Sequence, residues 1–451
     1  MRRSLLSTLA MSLFLSSVIC CKAALIEAEE SPKFSILRVP QDFKTIQEAI
    51  NNSTAGNTIF VSSGLYYEHI IVNKTVTLMG ENRQTAIVDG SNDGTVIQVT
   101  ANNVNISGFK LQNSGWKWGR SGVEVYQADN CIIQDNFIYL TCHQIRLNGS
   151  RGTLILRNIV TAPSTTVPKS AYGVRLENTA DCIIKNNLIS NHIGGVHLED
   201  SANCIVTGNT MIQNGQGIRL YTPCTNNTII KNTVYNNSYD GMIEEIPPNQ
   251  TLADNRFIHN NFINNSNPFI YDTGGCIWND GLEGNFWTAY EGKDLNNDGI
   301  GDTPFAIGGD QDNYPLMGRF SDFETSPEHN IQTISNSTIS DFQYNGSSIN
   351  FFTQGADGTA GFCRIKIPTL LMNGPFRVFV NGTEVSFNLL EDTDSTNNYL
   401  YFTYAQSIKE VSVIPEFASM IFLGLVMIAV LLSSPLYEHV KRKTNLSMDT
   451  L

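Results

Sequence analysis

Basic residues are in short supply in this chain, 29 Lys and Arg against 42 Asp and Glu, for a formal net charge of -13. That balance argues against nucleic acid or an anionic membrane surface as a partner, since both are polyanions, and makes cations the fitting guests. Cysteine is also sparse, 9 in 451 residues. Two of them, Cys20 and Cys21, fall in a leader, which leaves an odd remainder and no disulfide framework. Cys131, Cys182 and Cys204 hold matching strand positions that read as inward-facing, where a thiol is a small apolar filler. A bridge between Cys182 and Cys204 stays open.

What is present begins with the two ends. Arg2 and Arg3, an apolar run from Leu5 to Ile19 and the small residues Ala23 and Ala24 read as a secretory signal over residues 1–24, too short to span a bilayer. Phe417 to Ser434 carries no charge and is followed by Lys441, Arg442 and Lys443, so 417–434 reads as a transmembrane helix and 435–451 as a cytoplasmic basic tail. The body between them is then displayed outside the membrane. Sequons at Asn73, Asn105, Asn226, Asn336 and Asn381 suit a glycosylated, exported chain.

The decisive pattern is a repeat. Gly173-Val174-Arg175-Leu176, Gly195-Val196-His197-Leu198 and Gly217-Ile218-Arg219-Leu220 recur every 22 residues (195 - 173 and 217 - 195). A second phrase keeps step: Cys182-Ile183-Ile184 to Asn187, Cys204-Ile205-Val206 to Asn209, and Thr228-Ile229-Ile230 to Asn232. Fixed self-similarity at this length marks a stacked solenoid in which each unit buries its apolar face against its neighbours. A leucine-rich repeat competes at this period, but short runs of Val, Ile and Thr broken by Gly and Asn favour two or three strands per turn. Asn at one register suits a tight bend where stacked amides satisfy one another. The open end needs a cap, and a short helix started by Asp42, with Phe43, Ile46, Ala49 and Ile50 on one face, supplies it.

Val39-Pro40-x-Asp42-Phe43-x-Thr45-Ile46-Gln47, then Gly64-x-Tyr66-x-Glu68, then Thr77-Leu78-x-Gly80 resemble the opening of pectin-lyase-like β-helices, nearest the NosD-like periplasmic copper-binding and carbohydrate-associated (CASH) group. Gly284-Asn285-Phe286-Trp287, Asp298 to Pro304 and Asp312-Asn313-Tyr314-Pro315-Leu316-Met317 continue that resemblance, which covers residues 36–318. It implies an all-β fold, a right-handed single-stranded parallel β-helix. A small Ig-like β-sandwich over 330–413 is expected to follow, with Phe376, Val378 and Val380, then Asn381-Gly382, then Val385, Phe387 and Leu389 as a hairpin. Pro415-Glu416-Phe417 before the apolar run resembles the PEF-type C-terminal signals of archaeal surface proteins; processing and retention as an anchor both remain open.

In Gly-Val-Arg-Leu the Val and Leu point inward, so the ladder sets Glu124, Arg146, Arg175, His197 and Arg219 in one outward row. Tyr126, Asn148, Glu177, Glu199 and Tyr221 form the next. This is a candidate groove for a polysaccharide, with arginines pairing acidic sugars and tyrosines as platforms. Glu177 and Glu199, with His197, are the weak catalytic candidates, because neighbouring rungs approach the separation of about 5 Å that a retaining glycosidase uses. The same rows read as an ordinary solvated face of mutually neutralising charges. No close equivalent of the Asp-Asp, Gly-His-Gly and Arg-x-Lys set of polygalacturonases, or of the paired Asp and Arg motifs of pectin methylesterases, is found. The 7 histidines are scattered, only His192 and His197 being near neighbours with Met211 about a coil away, so the family's copper role is not carried over. Calcium is the better metal expectation: Asp294, Asn296, Asp298 and Asp302 offer oxygens at spacings 1, 3, 5 and 9 with the Ile300 carbonyl at 7. Phe305 stands where an EF-hand has its bidentate Glu, so Asp310 or Asp312 must complete the shell.

Overall fold

The computed structural model describes residues 35–117, 119–163, 172–221, 223–238, 240–245, 253–266, 275–326 and 328–416. The expected signal (1–24), apolar helix (417–434) and basic tail (435–451) lie outside the described residues. Among those described, no helix is long and apolar enough to cross a membrane.

Three short strands per coil build three parallel sheets, the right-handed β-helix expected. One coil runs Ile132–Gln134, Phe137–Tyr139 and His143–Asn148, and each strand pairs in parallel with its counterpart a coil away. The first sheet has 10 strands from Ile36–Val39 to Arg256–Ile258, the second 10 from Gly64–Tyr67 to Phe286–Trp287, and the third 8 from Ile70–Val72 to Asp240–Glu245. Val174, Val196 and Ile218 stack directly, as the 22-residue period requires. Their inward faces make one apolar column from Val39 to Trp287 in which Cys131, Cys182 and Cys204 are buried fillers and free thiols.

The corner between the first and second sheets explains the recurring Asn. Asp135, Arg157, Asn186, Gly208, Lys231 and His259 adopt positive φ there, and the next residue is the buried Asn. Asn136, Asn158, Asn187, Asn209, Asn232, Asn260 and Asn285 each receive the previous Asn's backbone N–H on Oδ1 or, for Asn136, that of Phe109. Their Nδ2 groups return to buried carbonyls such as Ile184 O, so a bend that would orphan backbone groups is satisfied coil by coil.

The N-terminal cap differs from expectation in its start. The helix spans Ile46–Asn52, and Thr45 is its N-cap, accepting from Glu48 N. Asp42 instead accepts Arg38 N at 2.8 Å and closes the preceding turn. Glu68 takes the Ile46 and Gln47 N–H groups, and Gln47 bonds both N and O of Ile71, so the helix covers the edge of the first third-sheet strand.

From Arg319 the chain forms a sandwich of two 5-stranded antiparallel sheets with its own core around Ile349, Phe351, Ile365 and Val413. It starts earlier than residue 330, because Arg319–Glu324 pairs with Asn330–Ser335. The expected hairpin is also shorter. Val380 pairs Thr383 across Asn381-Gly382, but Phe387–Leu389 crosses to the other sheet and pairs with Asn397–Ala405. The sandwich is fastened to the β-helix by Lys231 to Asp322 (2.7 Å) and Arg364 to Glu283 (2.8 Å).

Candidate functional site: the outer wall of the third sheet

The two expected rows are real lateral neighbours. Glu124, Arg146, Arg175, His197 and Arg219 are successive rung partners, as are Tyr126, Asn148, Glu177, Glu199 and Tyr221. The glycine opening the phrase makes this possible: a Cβ on Gly173 would strike Ile189 Cγ2 at 2.3 Å, and one on Gly195 the Gly217 carbonyl at 2.5 Å. Glycine and the following Val both face inward, and the strand then presents Arg or His outward. The residue before the glycine also faces out, and this third row escaped the sequence reading. Tyr172 stands there against Gly194, stacked between His143 (5.9 Å) and His197 (4.4 Å). The position just ahead of each repeat phrase was the available signal.

The wall is less open than an outward face implies. Glu124, Arg175, Glu177 and His197 are buried, and their charges are satisfied laterally. Gln98 and Arg146 hold Glu124, Arg146 continues to Glu177, and Arg175 joins Glu177 to Glu199 at 2.7 Å. His197 Nε2 lies 3.4 Å from Glu199. Arg219 donates to the Tyr172 hydroxyl at 2.8 Å and packs over Tyr221. Two arginines, Arg146 and Arg175, thus alternate with three glutamates along one zigzag.

The protonation states follow. Burial drives His143 down to about 3, with Arg175 and Arg146 adding, and His197 to about 4. Both are neutral imidazoles near neutral pH. Glu199 is brought to about 2, chiefly by its hydrogen bond from His197 and then by Arg175. A carboxyl held that low is a poor general acid, which a retaining pair needs. Solvent reaches the wall along the C-terminal ends of the strands, where Tyr126 is 40% exposed and Glu199 and Tyr221 are half-buried.

The acidic loop lies elsewhere, at the junction with the sandwich. Asp294 accepts Asp298 N and Gly299 N, Asp298 accepts Ile300 N, Asn296 donates to Asp298, and Asp302 accepts Leu295 N. The loop is closed by its own Asx-type hydrogen bonds. Asp310 serves Cys276 N and Asp312 serves Asn285 N and Trp287, so neither turns to this loop. Among the described residues no three His, Cys, Asp or Glu side chains converge as a metal site.

With this geometry in hand, residues 161–292 match the family described as periplasmic copper-binding protein (NosD). The β-helix is NosD-like. A stretch of 105 residues is 36% identical to a cell surface glycoprotein of Methanothermus fervidus, covering 23% of this chain and 16% of that protein, so the chain spans under a fifth of this relative. Among solved structures, a Yersinia enterocolitica family 28 exopolygalacturonase superposes with TM-score 0.39 at 13% identity over 56% of this chain and 69% of that one. A polygalacturonase of Erwinia carotovora gives 0.37 at 11%, over 55% and 98%. The matched segment contains the wall from Tyr172 to Tyr221 and the three glycine-led phrases of the 22-residue period.

Proposed function

We propose that this chain is an exported cell-surface β-helix protein that binds carbohydrate along the outer wall of its third sheet. The observation that carries the reading is the accessible edge of that wall. Tyr126, Asn148, Glu199 and Tyr221 lie on consecutive or near-consecutive rungs, about 4.8 Å apart, and the Arg–Glu zigzag beneath fixes their backbone. An extended, pre-organised row of hydroxyl, amide and carboxylate groups with aromatic faces suits a polyhydroxylated chain. Similarity to a cell surface glycoprotein and to a periplasmic family supports an extracytoplasmic setting, and exposed sequons at Asn73, Asn226, Asn336 and Asn381 fit it. The uncharged apolar run 417–434 is the proposed anchor. The test is a glycan array with the full chain: the reading expects retention of at least one glycan and loss of it on Tyr221→Ala with unchanged melting. Retention of none, while the protein is folded, removes carbohydrate from the account and leaves a structural envelope role.

Calcium-stabilised closure is the second element of the proposal. Asp294 supports it, because burial and then the charge of Asp298 push its carboxyl up against the hydrogen bonds it receives, a stress that a bound cation relieves. Binding would require those carboxylates to exchange N–H partners for the ion. A chelator that leaves the melting temperature unchanged, with Asp298→Ala equally silent, removes the metal. A polysaccharide lyase or hydrolase on the same wall, and a copper-handling role in the manner of the NosD family's description, are the alternatives; product release and tight copper stoichiometry respectively would favour them.

A further inference from the structure

The β-helix and the sandwich leave a polar cleft between them that neither the repeat nor the wall accounts for. One chamber of about 720 Å³ runs beneath Lys366, Leu370 and Thr396, and a second of about 520 Å³ runs past Lys185 and Asn186. Lys231 and Asn330 line both, so the two form one trough across the junction. Each volume is within the range of ligand sites, which recur where two domains meet.

Charge in the trough is unevenly committed. Asp322 is saturated, accepting from Lys231 at 2.7 Å, Asn330 at 2.8 Å and Gln332 at 3.0 Å, and Lys185 faces Glu324 at 3.8 Å. Lys366 has no carboxylate within ion-pair distance among the described residues; its ammonium rests 5.6 Å from the centre of the Tyr399 ring. The rest of that chamber's lining adds the carboxylate of Glu328 and the His329 imidazole to amides and hydroxyls, with Pro368 and with Leu370 80% exposed at the rim. Lys185, Lys231 and Lys366 against Asp322, Glu324 and Glu328 leave the trough formally neutral in a chain of net charge -13, with the Lys366 ammonium outside any ion pair among the described residues.

We propose that this trough is a second carbohydrate site, for a short acidic oligosaccharide whose carboxylate meets Lys366 and whose hydroxyls meet the amides and hydroxyls around it. The inference rests on the carbohydrate reading above but uses different residues. An ammonium supplies the charge-assisted bond to a carboxylate, and dispersed neutral donors and acceptors match a sugar's hydroxyls better than a peptide's regular backbone.

The test is binding of a uronic-acid oligosaccharide to the full chain, beside a neutral gluco-oligosaccharide and a poly-glutamate peptide. The expected result is preference for the uronate, weakened about tenfold or more by Lys366→Gln. Leu370→Asp, at an exposed rim position where folding is not at stake, is expected to weaken it similarly by repulsion. Uronate binding unchanged by both variants but lost on Tyr221→Ala overturns the trough and leaves the wall. Poly-glutamate bound as well as the uronate overturns the ligand class, and a folded chain that holds no glycan overturns both readings.

Discussion

Asp312 accepts the backbone N–H of Asn285 at 2.8 Å, and with that bond a carboxylate terminates the column of buried amides that runs the length of the β-helix. The same carboxylate takes the Trp287 indole N–H at 2.9 Å, and Gly284 lies so close that a Cβ there would meet Asp312 Oδ1 at 1.9 Å. Asp312→Ala leaves two buried donors unpaired, each costing on the order of 1 to 3 kcal/mol. Denaturant unfolding is expected to register a loss of about 3 kcal/mol, and a loss below about 1 kcal/mol would show that the column does not need this end-piece.

Within the column the effect should recur. Asn209 donates to Ile184 O and Asn232 Oδ1 and accepts Asn187 N and Nδ2. Asn209→Leu, of similar bulk, removes these together and is expected to destabilise by about 3 kcal/mol, whereas substitution of Lys185, a partly exposed strand residue whose side chain lies outside the column, should register only on the order of 0.5 kcal/mol.

The inward glycines predict an opposite kind of damage. A methyl at Gly195 meets the Gly217 carbonyl at 2.5 Å and Met211 Cγ at 3.2 Å. Gly195→Ala should therefore cost about 1 to 3 kcal/mol through overpacking, although alanine usually stabilises a strand relative to glycine. An unchanged midpoint would mean that the rungs separate easily there.

Acid should unfold the chain in two overlapping stages. His143, His192 and His197 are held by burial to about 3, about 4 and about 4 against an unperturbed 6.5, so the unfolded chain binds their protons first. Stability from these groups is complete above pH 6.5 and declines as pH falls towards 3. Glu283 is raised by burial but brought down to about 2 by His259 and Arg364, and Glu199 also stands at about 2; both contribute above 4.5 and lose that contribution as pH falls to 2. Melting temperature against pH should be level near neutrality and drop steadily below about 6.5; a maximum near pH 4 would contradict the neutral, buried histidines.

The sequence made the fold legible because in a solenoid the local period is the tertiary contact: Gly173, Gly195 and Gly217 at one spacing already name lateral neighbours. The Asn column was legible for the same reason. The cap was less so, since Asp42 and Thr45 are both good helix starters and only the Glu68 side chain, from a later strand, decides between them. The wall's rows were foreseen but its burial was not: pairing of Arg146 with both Glu124 and Glu177 depends on side-chain reach between coils, and Tyr172 stands on a strand register that the glycine shifts. The trough left no local signal, because Lys366 and Lys231 meet only once the sandwich docks.

The most direct measurement follows binding and turnover together on the full chain with a panel of acidic and neutral polysaccharides. The account predicts that a glycan is retained, that Tyr221→Ala releases it, and that no reducing end or unsaturated product accumulates, since Glu177 and Glu199 are spent on Arg146, Arg175 and His197. Product formation that disappears on Glu199→Gln would show a working carboxylate where this account has a fixed, ionised one.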